Sequence, residues 1–351
     1  MANTRLMSEH FLSSPKVDET TKSALLSMDK ESLQIAFSGF MTFGTAGLRA
    51  KMQPGIAFMN TYTVALAAAS LAKVICTYGT DAMNRGVVIA HDSRKNAKEF
   101  ALRSAQVLSA YGIKVYLFDD LRPTPVLSFA LRHLSCIAGI NITASHNPKE
   151  YNGFKVYWED GAQIGPEQAE AISAQMQQTD ILEDVPDTGL AKLELIVPVP
   201  ASVDAAYINC VLDERVNESA IPNVAETFHV IYTPLHGAGI TMVPEVLHRA
   251  GLTHLHVVPQ QEKPNGDFPT VEHPNPEAKE AFVLGKALAQ TYDSDLIIAT
   301  DPDCDRVGAM ARNRDGEFVC ITGNQMGALL LDYIITAYQK KKHYAAFSLC
   351  C

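Results

Sequence analysis

Hydrophobic and polar positions change period repeatedly along the chain, and each change marks an element. Residues 62–78 are Ala-rich with apolar positions at helical spacing, and Gly79 stops the run. A short β-branched stretch, 87–90, reads as a strand running into His91-Asp92-Ser93-Arg94. A helical pattern over 100–111 ends at Gly112, the next strand covers 115–118, and Pro123-Thr124-Pro125 opens a helix reaching about His133. The apolar run 137–142 reads as a buried strand breaking into a polar loop, Thr143-Ala144-Ser145-His146-Asn147-Pro148; a strand at 154–158 leads away. A helix follows at 167–177. The alternation predicts an α/β fold, with mixed, mainly parallel sheets flanked by helices.

The pattern then repeats. Residues 183–190 are acidic, contain Pro186 and Gly189, and mark a domain boundary; a helix at 201–212 leads into the second unit. There follow a strand at 228–232, the tight loop His236-Gly237-Ala238-Gly239, a helix at 243–250 stopped by Gly251, and a strand at 255–258. Residues 259–276 form a long Pro/Gly/Asn loop with no period of its own, a length that is often functional. A helix at 277–289, a buried strand at 296–300, a strand at 307–312, a turn at 313–316 and a helix at 324–338 complete the unit. Lys340-Lys341-Lys342 reads as a solvated helix end, and 345–349 as the start of a strand. Residues 1–40 look like a polar lead-in with one short amphipathic helix near 33–37. The expected divisions are that lead-in, domains over 41–190 and 200–316, and the start of a third from 317 to 351.

At 351 residues the chain is long enough for two compact domains and part of a third. A net charge of -10 argues against nucleic acid or an anionic membrane as partner, so cations for a phosphorylated ligand must be concentrated locally. Seven scattered cysteines with no CxxC pair fit a reducing compartment. The first 22 residues contain no apolar signal core and no run approaches membrane-spanning length, so a cytoplasmic location is expected.

Three segments carry candidate chemistry. Ser145 sits at the carboxyl end of a buried strand, where open α/β sheets place ligands; the plain alternative is a Ser/Asn turn. Asp301, Asp303 and Asp305 alternate after a buried strand, and in an extended segment such positions face one side. Converging carboxylates need a hard cation, and all-oxygen ligation suits Mg²⁺, the alternative being an acidic surface turn. An EF-hand loop is excluded, since its required Gly and Glu are Arg306 and Arg312 here. Gly44 and Gly47 can turn backbone N–H groups inward, and Arg49 adds a cation for an anion, although Gly-rich turns before helices are common. Together the segments suggest phosphoryl transfer, which is mostly positioning and charge neutralisation. A phosphoryl group on Ser145 would add an anionic ligand for the metal.

Thr143-Ala144-Ser145-His146-Asn147-Pro148, Tyr151-Asn152-Gly153-Phe154-Lys155 and the alternating aspartates followed by Arg306 resemble the α-D-phosphohexomutases. The segments 44–49, 236–239, 268–271, 274–276 and 322–325 resemble the phosphoglucomutase/phosphopentomutase branch. The resemblance implies a phosphoserine mutase in which Ser145 donates its phosphoryl group to a sugar monophosphate. A bisphosphorylated sugar then returns the other group, and glucose 1,6-bisphosphate acts as activator. It implies Mg²⁺ held by the phosphoserine with Asp301, Asp303 and Asp305, while Arg49 and Lys155 assist proton and charge handling. His146 and Arg306 line the same pocket, although His146 could equally order the turn; His236 contacts substrate or satisfies its own loop. Cys304 replaces the small residue usual in the aspartate loop. The sugar-selecting and phosphate-gripping loops of the family's third and fourth domains are missing, so a C-terminally truncated chain, poor at isomerising sugar, is expected. Interconversion of glucose 1-phosphate and glucose 6-phosphate leads; the alternatives are a phosphopentomutase or a non-catalytic metal-binding fragment. A serine hydrolase fits less well, lacking a G-x-S-x-G elbow and a third orienting group.

Overall fold

The structure, a computed structural model, describes residues 2–217 and 219–340. The strand expected at 345–349 lies outside the described residues, as do Lys341 and Lys342.

The chain opens with helices α1 (Ala2–Ser13), α2 (Glu19–Leu26) and α3 (Lys30–Ala36), which corrects the polar lead-in with a single helix. Asp18 and Asp29 cap α2 and α3, accepting from the N–H of Thr21 and Ser32 at 2.8 and 2.7 Å. These helices carry too few apolar residues for a clear stripe. They are held instead by single large ones: Phe11, Val17, Leu25 and Phe37 are buried in the same core as the first sheet.

Next come β1 (Leu48–Lys51), α4 (Thr61–Thr77), α5 (Gly79–Arg85), β2 (Val87–His91), α6 (Ala97–Ala110), β3 (Val115–Leu117), α7 (Thr124–His133), β4 (Ala138–Ile142), β5 (Tyr151–Trp158), α8 (Pro166–Gln178) and β6 (Ile196–Pro198). They build a sheet in the order β1-β5-β4-β2-β3-β6. Its β4, β2, β3 and β6 run parallel, and β5 alone runs against them, pairing antiparallel with β4 on one side and β1 on the other. β6 was not legible in the sequence; its three residues lie beyond the acidic segment yet join the first sheet. β2 and β4 are buried along their whole length, which is why they read as unbroken apolar runs. Since they are parallel neighbours, the loops after His91 and after Ile142 leave from the same edge of the sheet.

The second unit contains α9 (Ser202–Asp213), β7 (His229–Thr233), α10 (Val243–Arg249), β8 (His254–Val257), α11 (Pro259–Glu262), α12 (Val283–Thr291), β9 (Leu296–Thr300), β10 (Val307–Arg312), β11 (Phe318–Ile321) and α13 (Gly323–Lys340). Its sheet has the order β11-β10-β9-β7-β8, with β7, β8 and β9 parallel. Residues 318–321, expected to open a third domain, instead pair with β10 in a hairpin of this sheet. The helix expected at 277–289 is a 3₁₀ turn, Lys279–Phe282, followed by α12. Val203 and Ile208 of α9, with Met242, are buried against Phe118, Val126 and Leu127, so one apolar cluster joins the two units. Among the described residues no helix is long and apolar enough to cross a membrane.

The glycine pair before β1 does not present its N–H groups to an anion, as the sequence suggested. Gly47 N–H donates to Gly44 O at 2.8 Å, and Gly44 N–H to Gly47 O at 3.4 Å. Gly47 has φ +75°, and a Cβ there would stand 2.1 Å from Phe154 O on β5. Its lack of a side chain thus lets β1 approach the strand that carries Lys155. Gly47→Ala is expected to destabilise the protein by about 2–4 kcal/mol, from left-handed strain plus overpacking. A denaturant midpoint unchanged from wild type would refute this.

Candidate active site

The serine loop leaves the buried end of β4. Ser145 has φ +53°, and its N–H donates to Thr143 Oγ1 at 2.9 Å, so the turn anticipated as the plain reading is present and shapes the site. Thr143 Oγ1 in turn donates to Asp92 Oδ2 at 2.6 Å. The Ser145 hydroxyl is 2.7 Å from Asp301 Oδ2 and 3.2 Å from His146 Nδ1. A hydroxyl has one proton, and the shorter contact directs it to the aspartate loop rather than to the histidine of a hydrolytic pair.

The aspartate loop follows β9. Its three carboxylates converge, with donor oxygens within 4.8 Å of one another. They do so by a different route from the extended alternation expected. Cys304 N–H donates to Asp301 O at 2.9 Å and Cys304 takes φ +56°, so the segment is a tight turn. That turn rests on the glycine loop after β7. Ala238 N–H donates to Pro302 O at 2.7 Å, and a Cβ on Gly237 would stand 2.4 Å from the Pro302 Cα.

Lys155, on β5, reaches across to Asp303 Oδ2 at 2.9 Å and Asp305 Oδ2 at 3.5 Å. Thr124 Oγ1, at the start of α7, also donates to Asp303 Oδ2, at 3.0 Å. Burial, with the charges of Asp303 and Asp305, pushes Asp301 up to about 9. Burial opposes ionisation of Asp303 too, yet the Lys155 ammonium holds that carboxyl below the usual carboxylate range. For Lys155 burial lowers the pKa, but Asp303 outweighs it and the amine is held well above its ordinary value. His146 is half-buried; burial, then Arg306 and Arg49, lower its pKa, so it is neutral at pH 7. Arg49 is exposed on β1 and donates to Asn147 Oδ1 at 3.3 Å, and Arg306 is exposed beside the aspartates.

His236 stands apart from the other site residues expected from the sequence. It is 2% exposed, its Nε2 lies 2.9 Å from Thr270 Oγ1 and its Nδ1 3.2 Å from Lys263 O. Both ring nitrogens are engaged in holding the 259–276 loop, the structural one of the two roles the sequence left open.

The geometry has counterparts in known proteins. The family model for phosphoglucomutase/phosphomannomutase alpha/beta/alpha domain I matches residues 41–182, and that for domain II matches residues 205–316. This chain belongs to the phosphoglucomutase/phosphomannomutase family. A phosphoglucomutase of Staphylococcus epidermidis is 39% identical over 308 residues, covering 87% of this chain and 55% of that protein. A phosphopentomutase of Homo sapiens is 35% identical over 334 residues, covering 92% of this chain and 54% of that protein. The chain therefore spans about half the length of the curated relatives it matches. A phosphoglucomutase/phosphomannomutase family protein from Burkholderia thailandensis shares the fold, with a TM-score of 0.64, 20% identity, and cover of 84% of this chain and 59% of that one.

Several groups of this candidate site were not recognised in the sequence. Asp92 and Arg94 follow β2, next to β4, and both are buried behind Ser145. Burial raises Asp92 to about 6 even though Arg94 opposes it. The signal was available, since His91-Asp92-Ser93-Arg94 ends a buried parallel strand just as the serine loop does. Thr124 gave no signal, because only tertiary folding brings the start of α7 to Asp303.

Proposed function

We propose that this chain is the phosphoryl-carrying and metal-binding half of a phosphoglucomutase-type phosphotransferase. Ser145 is the carrier, and Asp301, Asp303 and Asp305 would hold Mg²⁺ together with the phosphoserine. The observation that carries the reading is the 2.7 Å contact between Ser145 Oγ and a converging, all-oxygen donor set. The fit to a cation is supported by Asp303 Oδ1, a buried carboxylate oxygen with no hydrogen-bond donor facing it among the described residues. Bound there, Mg²⁺ would neutralise phosphoryl oxygens and lower the charge repulsion met by an incoming hydroxyl.

The chain's own residues supply the rest. Transfer from phosphoserine breaks the bond from phosphorus to Oγ and forms one to a sugar hydroxyl; that hydroxyl's proton passes to a base, and the leaving Oγ takes up a proton to become the serine hydroxyl. Reverse transfer restores the bond to Oγ and releases the Ser145 proton. Neutral His146, with Nδ1 3.2 Å from Oγ, is able to hold that proton. Lys155 remains charged because of Asp303 and so acts as an electrostatic group rather than a base. Arg49 and Arg306 are the exposed cations able to meet a substrate phosphate.

The proposed substrates are glucose 1-phosphate and glucose 6-phosphate, with glucose 1,6-bisphosphate as activator. The human phosphopentomutase, similar over 92% of this chain, supports pentose phosphates as the second reading. Intact mass after incubation with glucose 1,6-bisphosphate and Mg²⁺ is expected to rise by one phosphoryl group. No gain would favour a non-catalytic metal-binding protein. Dephosphorylation rates on glucose 1-phosphate and ribose 1-phosphate, measured side by side, are expected to favour glucose; a faster ribose rate would reverse the assignment.

A further inference from the structure

Arg94 is 3% exposed and lies at the junction of the serine loop with the 259–276 loop of the second unit. Its four terminal N–H groups have four backbone carbonyls within reach. Nη2 donates to Ser145 O at 2.6 Å and Asn147 O at 2.5 Å, and Nη1 to Pro148 O at 2.9 Å and Tyr151 O at 3.0 Å. Asp92 orients the residue, its Oδ1 accepting from Arg94 N–H at 2.9 Å and its Oδ2 lying 3.4 Å from Nε. One guanidinium thus gathers the carbonyl of Ser145, at the left-handed turn, and three carbonyls of the loop that follows it. A lysine has no planar fork and one donor fewer than four carbonyls require.

The other face of Arg94 belongs to the second unit. Its guanidinium carbon lies 5.1 Å from the centroid of the Phe268 ring, and Phe268 is 2% exposed with φ +45°. A Cβ on neighbouring Gly266 would stand 2.5 Å from Lys95 N, so the two backbones touch there. Lys95 Nζ pairs with Asp267 at 2.5 Å across the same seam. The 259–276 loop is itself fixed by His236, which lies just before the glycine loop supporting Pro302. A continuous chain of contacts therefore runs from the Ser145 turn through Arg94 and Phe268 to the element beneath the metal-binding aspartates.

We propose that Arg94 is a positioning residue and that the Arg94–Phe268 contact is a clamp between the phosphoserine loop and the metal-bearing half. It holds the Ser145 turn in register with Asp301, and it rests on the phosphotransferase reading above. Among the described residues Arg94 makes no hydrogen bond or ion pair to Asp301, Asp303 or Asp305; it acts through the four carbonyls.

The test uses the full chain with Arg94→Lys and Phe268→Leu, and two readouts. The first is the rate of phosphoryl uptake from glucose 1,6-bisphosphate as a function of Mg²⁺. Arg94→Lys is expected to slow uptake by about 100-fold, because a displacement of the acceptor by about 1 Å costs that much, while the half-saturating Mg²⁺ concentration stays within about threefold. The second is hydrogen exchange at the Asn147 and Tyr151 amides of the serine loop and the Phe268 and Val271 amides of the opposite loop. All four make backbone hydrogen bonds. Each variant is expected to speed exchange on both loops by tenfold or more without affecting the central amides of β2 and β7. Exchange that rises on one loop only, or together with the central strands, overturns the clamp, as does an unchanged uptake rate. If wild type takes up no phosphoryl group, the function assigned above fails, and the exchange data alone decide for or against the clamp.

Discussion

Ser145→Ala is expected to gain no phosphoryl group from glucose 1,6-bisphosphate, whereas wild type gains one. The carrier oxygen is the only atom removed, and its hydrogen bonds to Asp301 and His146 are each of ordinary strength. Losing such a bond costs about 1 kcal/mol. The turn itself survives, because it depends on Ser145 N–H donating to Thr143 and on Arg94 binding the backbone carbonyls, neither of which uses the side chain. The mutation therefore separates chemistry from folding. The variant should retain its far-UV circular dichroism and melt within a few degrees of wild type while its mass stays fixed. Equal phosphorylation of the two proteins would place the carrier elsewhere and remove the basis of the functional assignment.

Asp301→Asn is expected to abolish Mg²⁺ binding yet barely disturb the metal-free fold at neutral pH. Burial and two neighbouring carboxylates raise Asp301 to about 9, so in the metal-free protein it is protonated at pH 7, and an amide resembles that neutral form. The sign of the linkage follows. In the unfolded chain this carboxyl titrates near 4. Between pH 4 and 9 the folded state therefore binds more protons, and its stability falls as pH rises, by at most about 1.4 kcal/mol per unit. The variant lacks this slope. A cation requires the ionised carboxylate, so wild-type Mg²⁺ affinity should rise about tenfold per pH unit up to about pH 9, with one proton released on binding. Calorimetric titrations in buffers of different ionisation enthalpy measure that proton directly. A pH-independent affinity, or metal binding retained by Asp301→Asn, would show that Asp301 is not a ligand.

The N-terminal helices show where sequence patterning fails. Phe11 and Leu25 do not form a visible stripe, yet each fills a place in the first core. The local signal that was available lay in the caps, Asp18 and Asp29, whose carboxylates act within three residues. Edge strands fail for a related reason. β6 and β11 are short, half-exposed and defined mainly by their partners, so neither has a period that stands out.

By itself the sequence determined the α/β alternation, the buried strands β4 and β9 with their polar loops, and membership of the phosphohexomutase group. These depend on local composition: continuous apolar runs, a Ser-His-Asn-Pro turn, and carboxylates too closely spaced to be left without a counter-charge. Only the tertiary structure decided how the two loops meet. It brought Lys155 and Thr124 to Asp303 and Ser145 to Asp301, across separations of 148, 179 and 156 residues. It also showed structural roles for two features for which the sequence had left a ligand contact open. Gly47 allows close backbone packing and His236 ties down a loop, because in each case a neighbour distant in sequence occupies the space or the hydrogen bonds that a ligand would need.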